Sequence, residues 1–272
     1  MTRLKPADVV QIPRTLGEYE RDLRRKTGCT LLQIAREAAN TNRSVSRLFA
    51  KSRAAVIPIT AGRGMIDGFS DAVAAILDHI GLPAIITQRA DVVGFAEAYE
   101  AGADVLFAAD DDKFVAINTH TMRVVDNATS TANAYVTALG RMANGLTGKT
   151  VLVVGVGNVG TAAISSLIRR RAKPLAVDID GSRLKHLKSL FGEQVSVFTS
   201  SVEALRQTNL IINTAPVRNM IHADMIQEDT LIATPAIPLC LTEAALRKIG
   251  GNVLHDPLQL GVATMAVEAC AG

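Results

Sequence analysis

Residues 151–160 read VLVVGVGNVG, and this stretch decides the fold. Its first four residues are apolar, three of them β-branched, which predicts a buried strand. A GxGxxG pattern follows at once, and residues 161–164, TAAI, continue as a helix. A strand, a glycine-rich turn and a helix in this order predict the first unit of a Rossmann dinucleotide-binding domain.

Each glycine of this turn has its own expected role. Gly155 permits the tight turn, Gly157 leaves out the Cβ that would block a pyrophosphate, and Gly160 lets the helix approach the sheet. The helix N-terminus offers free N–H groups and a partial positive charge to the phosphates. We therefore expect Asn158 and Val159 to bind the cofactor together with the three glycines.

An acidic residue ends the second predicted strand, residues 175–178, eighteen positions after Gly160. An aspartate at about this spacing hydrogen-bonds the adenosine ribose hydroxyls of NAD, and its charge repels the 2′-phosphate of NADP. Asp178, with Ile179 beside it, therefore predicts NAD as the cofactor. Arg183 is the nearby residue that would suit NADP instead.

Two later strand ends are expected at the nicotinamide end of the cofactor. Ligands of open α/β sheets bind beyond the carboxyl ends of the strands. Such ends follow the predicted strands 210–213 and 231–233. The residues expected to contact the nicotinamide ribose and the nicotinamide are Asn213, Thr214, Ala215 and Pro235.

The chain before this unit predicts helices followed by a smaller α/β layer. The helical periodicity covers residues 15–26, 30–40 and 44–51, and short apolar strands then alternate with helices. A long helix, residues 129–142, leads into the Rossmann unit. The predicted class is α/β, with N-terminal helices and a small α/β layer before the Rossmann domain. The expected segments are a helical segment 1–53, a substrate-side α/β domain 54–128, a Rossmann NAD-binding domain 129–256 and a C-terminal helix 257–272 that packs back towards the cleft.

Composition and charge exclude several classes of function. The 272 residues are 48% hydrophobic, which excludes a disordered chain. Residues 1–53 carry 12 Lys/Arg and 5 Asp/Glu but only two aromatic side chains, so we expect no nucleic-acid partner. The three cysteines lack CxxC spacing, which favours a reducing cytoplasm over a disulfide framework or a zinc site. Residues 150–168 are uncharged but contain the glycine turn, so no membrane partner is expected.

Polar residues collect at two strand ends of the smaller layer, residues 60–64 and 109–112. The consecutive carboxylates of Asp110, Asp111 and Asp112 suit a cationic substrate such as an amine, a carboxylate base, or a solvated turn. No histidine or further acid is spaced to complete a metal site, so no metal is expected. His255, at a later strand end, is a further candidate for substrate binding.

Six stretches of the chain together resemble pyrrolysine synthase, which completes the biosynthesis of pyrrolysine. They are AGRGMIDGFSDAVAAIL (61–77), FAEAYEAGADVLFAADDDKFVAIN (95–118), VVDNA (124–128), GKTVLVVGVGNVG (148–160), VDID (177–180) and HDPLQLGVATMAVEA (255–269). The resemblance runs from about residue 15 to residue 272. The acidic block and the last block are far more specific than GxGxxG.

The resemblance implies an NAD-dependent oxidation of the terminal amine of 3-methylornithyl-N6-lysine, a dipeptide-like small molecule. Loss of ammonia and water and closure of a five-membered ring then give pyrrolysine. The resemblance places Ala109 and Asp110 in the region that binds the substrate amine, with Asp110 as the catalytic candidate. It places Thr60 and Gly62 in the loop that faces this region.

Two other functions fit the same sequence. One is another two-domain NAD(P) oxidoreductase, of the shikimate dehydrogenase or methylene-tetrahydrofolate dehydrogenase type, which would place a catalytic lysine in the first domain. Lys113 is the only lysine between Lys51 and Lys149. The other is a non-enzymatic module that senses a dinucleotide. The sequence leaves the oligomeric state open, with a homodimer as one expectation.

Overall fold

The computed structural model describes residues 3–271, which form two β-sheets with helices on their faces. Strands β1 to β11 are Ala54–Ile57, Ala84–Ile86, Val105–Ala109, Phe114–Asn118, Val124–Asp126, Thr150–Val154, Lys173–Val177, Ser196–Phe198, Leu210–Asn213, Leu231–Thr234 and Val253–His255. Helices α1 to α12 are Pro6–Val9, Ile12–Thr27, Leu31–Ala38, Val45–Phe49, Phe69–His79, Asp91–Glu100, Asn127–Met142, Asn158–Arg169, Gly181–Phe191, Ser201–Leu205, Glu243–Ile249 and Gln259–Ala271.

The larger sheet is parallel throughout, in the order β11-β10-β9-β6-β7-β8. The chain enters at β6, builds outward through β7 and β8, and then returns to add β9 on the other side of β6. This reversal between β6 and β9 is the point at which doubly wound sheets bind their ligands. The predicted Rossmann fold is confirmed, and the glycine turn lies at this reversal.

The smaller sheet has the order β2-β1-β3-β4-β5. Its first three strands are parallel, and β4 and β5 form an antiparallel hairpin. The apolar run 55–60 predicts a strand, but β1 ends at Ile57, because Pro58 has no N–H group to donate to a neighbouring strand. The loop after β1 therefore begins earlier and faces the larger sheet.

Two central helices join the sheets. Twelve of the 16 residues of α7 and 11 of the 13 residues of α12 are buried. A helix that is covered on all sides in this way belongs to the core, and one apolar cluster runs through both halves of the molecule. In the described part of the chain, no helix combines the length and the apolar character that a membrane span requires. The division into four segments stays a prediction.

Three helix starts differ from the sequence-based expectation. Helix α7 begins two residues early because the Asp126 carboxylate accepts the N–H groups of Ala128 and Thr129. Helix α2 begins at Ile12, since Pro13 is tolerated in a first turn. Helix α1 has only four residues, too few to show a helical period.

A buried carboxyl group ties the N-terminal helices to the central pair. The Tyr19 hydroxyl on α2 donates to Oδ2 of Asp256 over 2.8 Å. The Tyr135 hydroxyl on α7 donates to the Asp256 carbonyl oxygen, also over 2.8 Å. Burial raises the pKa of Asp256, and the hydrogen bonds from the two tyrosines oppose this only in part. Folding therefore shifts the Asp256 carboxyl group towards its protonated form.

Replacing Asp256 with asparagine is expected to change how stability depends on pH. A raised pKa in the folded state means that the contribution of Asp256 is fully present below its unfolded pKa of about 3.9 and is lost as the pH rises through the folded pKa. Asparagine is neutral at every pH, so the stability of Asp256→Asn relative to the wild type should increase as the pH rises above about 4 and through the raised folded-state pKa. Urea unfolding measures this difference, with the exposed Asp224→Asn as the control. A difference that stays constant with pH would contradict the expectation.

Candidate active site

A cleft of about 1350 Å³ lies between the carboxyl ends of the two sheets. Single small-molecule sites occupy roughly 300–1,000 Å³, so this cleft has room for a dinucleotide and a second molecule. One wall is formed by the loops after β1 and β3 and by the start of α7. The other is formed by the loops after β6, β7, β9 and β10.

The three glycines of the turn differ in what surrounds them. Gly155 has a φ of +85°, and a Cβ there would meet the Ala215 nitrogen at 2.9 Å. A Cβ on Gly160 would collide with the Gly155 carbonyl group. A Cβ on Gly157 would meet no heavy atom within 4 Å, although Gly157 lines the cleft. Packing therefore requires the first and third glycines, while the second leaves open space for a ligand.

Helix α8 begins directly behind this open space. Asn158 and Val159 line the cleft, and the first N–H groups of a helix have no acceptor within the helix. Such groups, with the partial positive charge of the helix end, bind anions such as a pyrophosphate. This part of the wall fits the phosphates of a dinucleotide.

Asp178 lies at the end of β7, where its side chain is almost fully buried. Its Oδ2 accepts the N–H of Val156 over 2.7 Å, and its Oδ1 accepts the N–H of Asp180 over 2.9 Å. The carboxylate thus joins the glycine turn to the next strand, and each oxygen keeps a second lone pair for a ligand hydroxyl. Ile179 beside it is fully exposed and lines the cleft. These two residues fit an adenosine ribose and the adenine next to it.

The loops after β9 and β10 form the other end of this wall. Thr214, Ala215 and Pro235 line the cleft. The Thr214 hydroxyl donates to the Gly155 carbonyl oxygen over 2.8 Å, which joins this loop to the glycine turn. Asn213 does not line the cleft, and its amide donates to the Thr234 hydroxyl over 3.1 Å. Asn213 therefore holds the loop in place from below.

The three acids of the opposite wall are not equivalent. Asp110 Oδ1 accepts the N–H groups of Asp112 and Lys113 at 2.8 and 2.7 Å, which fixes the orientation of its carboxylate at the cleft. Asp111 pairs with the Arg3 guanidinium at 2.5 Å. The hydrogen bond from the Arg63 N–H, together with Arg3, holds the pKa of Asp111 below its usual value. Within residues 3–271, Asp110 is thus the oriented carboxylate that has no cationic partner of its own.

Of the remaining predicted substrate residues, only one lines the cleft. Ala109 lines the cleft, whereas Thr60, Gly62 and His255 are not among its lining residues. The Thr60 hydroxyl donates to the Asp91 carboxylate. The backbone of Gly62 lies against the Asp111 side chain, and His255 Nδ1 donates to the Thr234 carbonyl oxygen over 2.9 Å. The roles given to these residues stay predictions.

The cleft also contains residues that sequence reasoning did not select. The start of α7 contributes Asp126, Asn127 and Thr131, and Asp126 Oδ2 lies 3.7 Å from Lys113 Nζ. The rule that ligands meet strand ends could have found the first two, because Asp126 ends β5 and Asn127 follows it. Arg3 had no such signal, since nothing local indicates that residue 3 reaches residue 111.

No metal site accompanies these acids. Across residues 3–271, no group of three or more His, Cys, Asp or Glu side chains is arranged to hold a metal ion. The arrangement instead offers a dinucleotide surface on one wall and an oriented carboxylate on the other. Chemically, this combination can bring an amine close to a redox cofactor.

Comparison with known proteins covers both halves of the chain. Residues 8–125 match the family model of the N-terminal domain of the pyrrolysine biosynthesis protein PylD. Residues 125–237 match the model of the C-terminal domain of alanine dehydrogenase/PNT. The two matches meet at the junction of β5 and α7.

Similarity to two curated proteins extends over nearly the whole chain. Pyrrolysine synthase from Methanosarcina acetivorans is 27% identical over 97% of this chain and 98% of its own length. Pyrrolysine synthase from Methanosarcina barkeri is 26% identical, with 97% of each chain covered. The resemblance to pyrrolysine synthase that the sequence motifs indicate is confirmed.

Solved dehydrogenase structures share the fold. Quinate dehydrogenase from Corynebacterium glutamicum in complex with NAD aligns with a TM-score of 0.57 at 16% identity, over 80% of this chain and 92% of that one. Shikimate dehydrogenase from Aquifex aeolicus aligns with a TM-score of 0.56 at 16% identity, over 80% and 91%. These alignments confirm the α/β class with a Rossmann domain.

Proposed function

We propose that this relative of the pyrrolysine synthases is a nicotinamide-dinucleotide-dependent dehydrogenase of pyrrolysine biosynthesis. The observation that carries the proposal is the shared cleft, in which the glycine turn of β6 faces the oriented carboxylate of Asp110. Its substrate is 3-methylornithyl-N6-lysine, a small dipeptide-like molecule with several amines. The four-segment division, with a substrate half and a cofactor half, is part of the same proposal.

We propose NAD rather than NADP as the cofactor. Asp178 would meet the ribose hydroxyls, and its negative charge opposes a 2′-phosphate. Arg183, which would favour a phosphate, is already paired with two carboxylates, since its Nε lies 3.4 Å from Asp180 Oδ2 and its Nη1 lies 4.0 Å from Asp178 Oδ2. Both acids therefore support the unphosphorylated cofactor.

The proposed reaction begins with the terminal amine of the ornithine part. When bound, the nicotinamide ring supplies the hydride acceptor for the carbon that carries this amine. Loss of the hydride from carbon and of a proton from nitrogen gives an imine. Water adds to the imine and ammonia leaves, which gives an aldehyde. The ornithine α-amine condenses with the aldehyde, and water leaves as the five-membered ring of pyrrolysine closes.

The residues of the chain contribute binding and orientation to this reaction. The carboxylate of Asp110, fixed by two N–H groups, binds a substrate ammonium group. Asp111 is paired with Arg3 and connects residue 3 to the cleft. Holding the substrate carbon close to the cofactor converts an encounter between two molecules into a step within one complex, which is a large part of the rate gain.

Mixing the protein with 3-methylornithyl-N6-lysine and NAD is expected to produce NADH and a product with the mass of pyrrolysine. The near-ultraviolet absorbance of NADH and mass spectrometry follow the two products, and NADP serves as the comparison cofactor. We expect faster turnover with NAD because of the charge of Asp178. Binding of NAD without NADH formation from any amine or hydroxy acid would favour the dinucleotide-sensing module instead.

One observation favours a second candidate, an oxidoreductase of the shikimate dehydrogenase type. The pair of Lys113 and Asp126, at 3.7 Å, lines the cleft on the substrate side, where a lysine could assist the oxidation of a hydroxyl group. Offering shikimate or quinate in the same assay separates the two candidates. NADH formed from a hydroxy acid and not from the dipeptide would replace the proposed function by this one.

A further inference from the structure

Two neutral polar side chains on α7 open onto the cleft without a strong hydrogen-bond partner. Asn127 and Thr131 are 7% and 9% exposed, and both line the cleft. They lie four residues apart, so they share one face of the helix. The Asn127 amide nitrogen lies 3.2 Å from the Met265 sulfur, which is only a weak acceptor, and this leaves its Oδ1 as a free acceptor.

Helix α12 packs closely against both side chains on the side away from the cleft. A Cβ on Gly261 would collide with the Thr131 hydroxyl and would meet the Asn127 amide nitrogen at 3.0 Å. Asn127 and Thr131 can therefore hold these positions only because residue 261 is a glycine. Asn127 and Thr131 are largely buried, and the side that remains open to this pair is the cleft. A ligand in the cleft can therefore exchange hydrogen bonds with both side chains.

We propose that Asn127 and Thr131 bind the amine that is oxidised, while Asp110 binds the ornithine α-amine that later closes the ring. This inference rests on the proposed function and adds to it a division of roles between two amines. The chemical reason is the protonation state. An amine donates hydride from its carbon only as the free base, because the ammonium form has no lone pair to stabilise the developing imine.

Neutral acceptors suit the free amine, whereas a carboxylate stabilises the ammonium form. Asn127 Oδ1 and the Thr131 hydroxyl accept N–H bonds without adding charge. The charged groups near the pair are Asp126 and Lys113, the acids 110–112 of the same cleft, and Glu268 on α12, which accepts a hydrogen bond from the neighbouring Ser130 over 2.6 Å. Asp126 and Lys113 pair with each other, and burial raises the pKa of Glu268.

Two substitutions test the inference with different readouts. Thr131→Val keeps the size of the side chain and removes its hydroxyl, and we expect kcat/KM for the dipeptide to fall about tenfold with the affinity for NAD unchanged. Asn127→Asp keeps the shape and adds a negative charge. We expect it to shift the alkaline rise of kcat with pH upward by about one unit, because the ammonium form gains a charged partner.

Thr264→Val is the matched control. Thr264 is a buried threonine on α12 whose hydroxyl has no hydrogen-bond partner within residues 3–271, and it does not line the cleft. We expect normal kinetics from this variant, which separates the loss of a cleft hydroxyl from the loss of a buried one. Thermal unfolding of all three variants checks that they fold.

The possible results either support or overturn the inference. Normal turnover in Thr131→Val, or an unshifted pH profile in a folded and active Asn127→Asp, would overturn it. A loss of NAD affinity in Thr131→Val would also overturn it, since the pair would then contact the cofactor. If the wild-type protein formed no NADH from the dipeptide, the proposed function itself would be overturned. This failure is seen in the wild type, so it is distinct from a failure of the inference, which is seen only in the variants.

Discussion

Valine in place of Gly157 is expected to weaken NAD binding at least about 100-fold, or roughly 2.7 kcal/mol, while the protein still folds. Gly157 has a φ of −69°, which any residue adopts, and a Cβ there meets no protein atom within 4 Å. The added methyl groups would instead occupy the space above the start of α8 that the pyrophosphate is expected to fill. Calorimetric titration with NADH measures the affinity, and urea unfolding checks the fold.

Gly181→Val is the control for this substitution. Gly181 also begins a helix, α9, and also has no atom within 4 Å of an added Cβ, but it does not line the cleft. We expect this variant to bind NADH normally. Normal binding by Gly157→Val as well would mean that the pyrophosphate does not pass over this turn.

Asparagine in place of Asp110 is expected to lower kcat/KM for the dipeptide by about 10–100-fold, since a hydrogen bond to a charged group contributes roughly 1.5–3 kcal/mol. The amide oxygen of asparagine can still accept the two N–H groups that orient this side chain, so the turn after β3 should keep its shape. What is lost is the charge that attracts an ammonium group. The affinity for NAD should not change, because Asp110 lies on the wall opposite the glycine turn.

Asp112→Asn provides a matched loss of charge two residues away. Asp110 and Asp112 are both exposed and both line the cleft, but of these two, only the Asp110 carboxylate is held by hydrogen bonds within residues 3–271. The Asp112 side chain would have to be ordered on binding, which lowers its contribution. We expect a smaller loss of kcat/KM in this variant. Equal losses of kcat/KM in the two variants would indicate that the acidic turn attracts the substrate by its total charge. Full activity of Asp110→Asn would remove Asp110 from the proposed mechanism.

The cofactor half of the molecule was largely predictable because its signals are local. The strand, the glycine turn, the helix and Asp178 lie within 28 consecutive residues, and their contacts with one another follow from βαβ geometry. The same reasoning explains why Gly160 and Asn213 were selected although they lie beneath the cleft surface. Sequence spacing places a residue at a strand end but does not state which atoms it contacts.

The substrate half was less predictable because its contacts join distant parts of the chain. Arg3 pairs with Asp111, Tyr19 with Asp256, and Gly261 supports Asn127 and Thr131. No periodicity or local motif encodes such pairs. The resemblance to a family indicates that residues 124–128 and 255–269 matter for function. Only the three-dimensional structure shows that the two segments contact each other behind the cleft.

The position of α12 has a consequence for the order of folding. This helix fills the space beneath the smaller sheet, but it follows the whole Rossmann sheet in the chain. The larger sheet, residues 150–255, contains all its own strands and can assemble from contacts that are close in sequence. The smaller sheet precedes the larger one in the chain, yet a loop of more than a hundred residues must close before its core is complete, and such distant contacts form slowly. We therefore expect the half that is synthesised first to be the half that becomes native last.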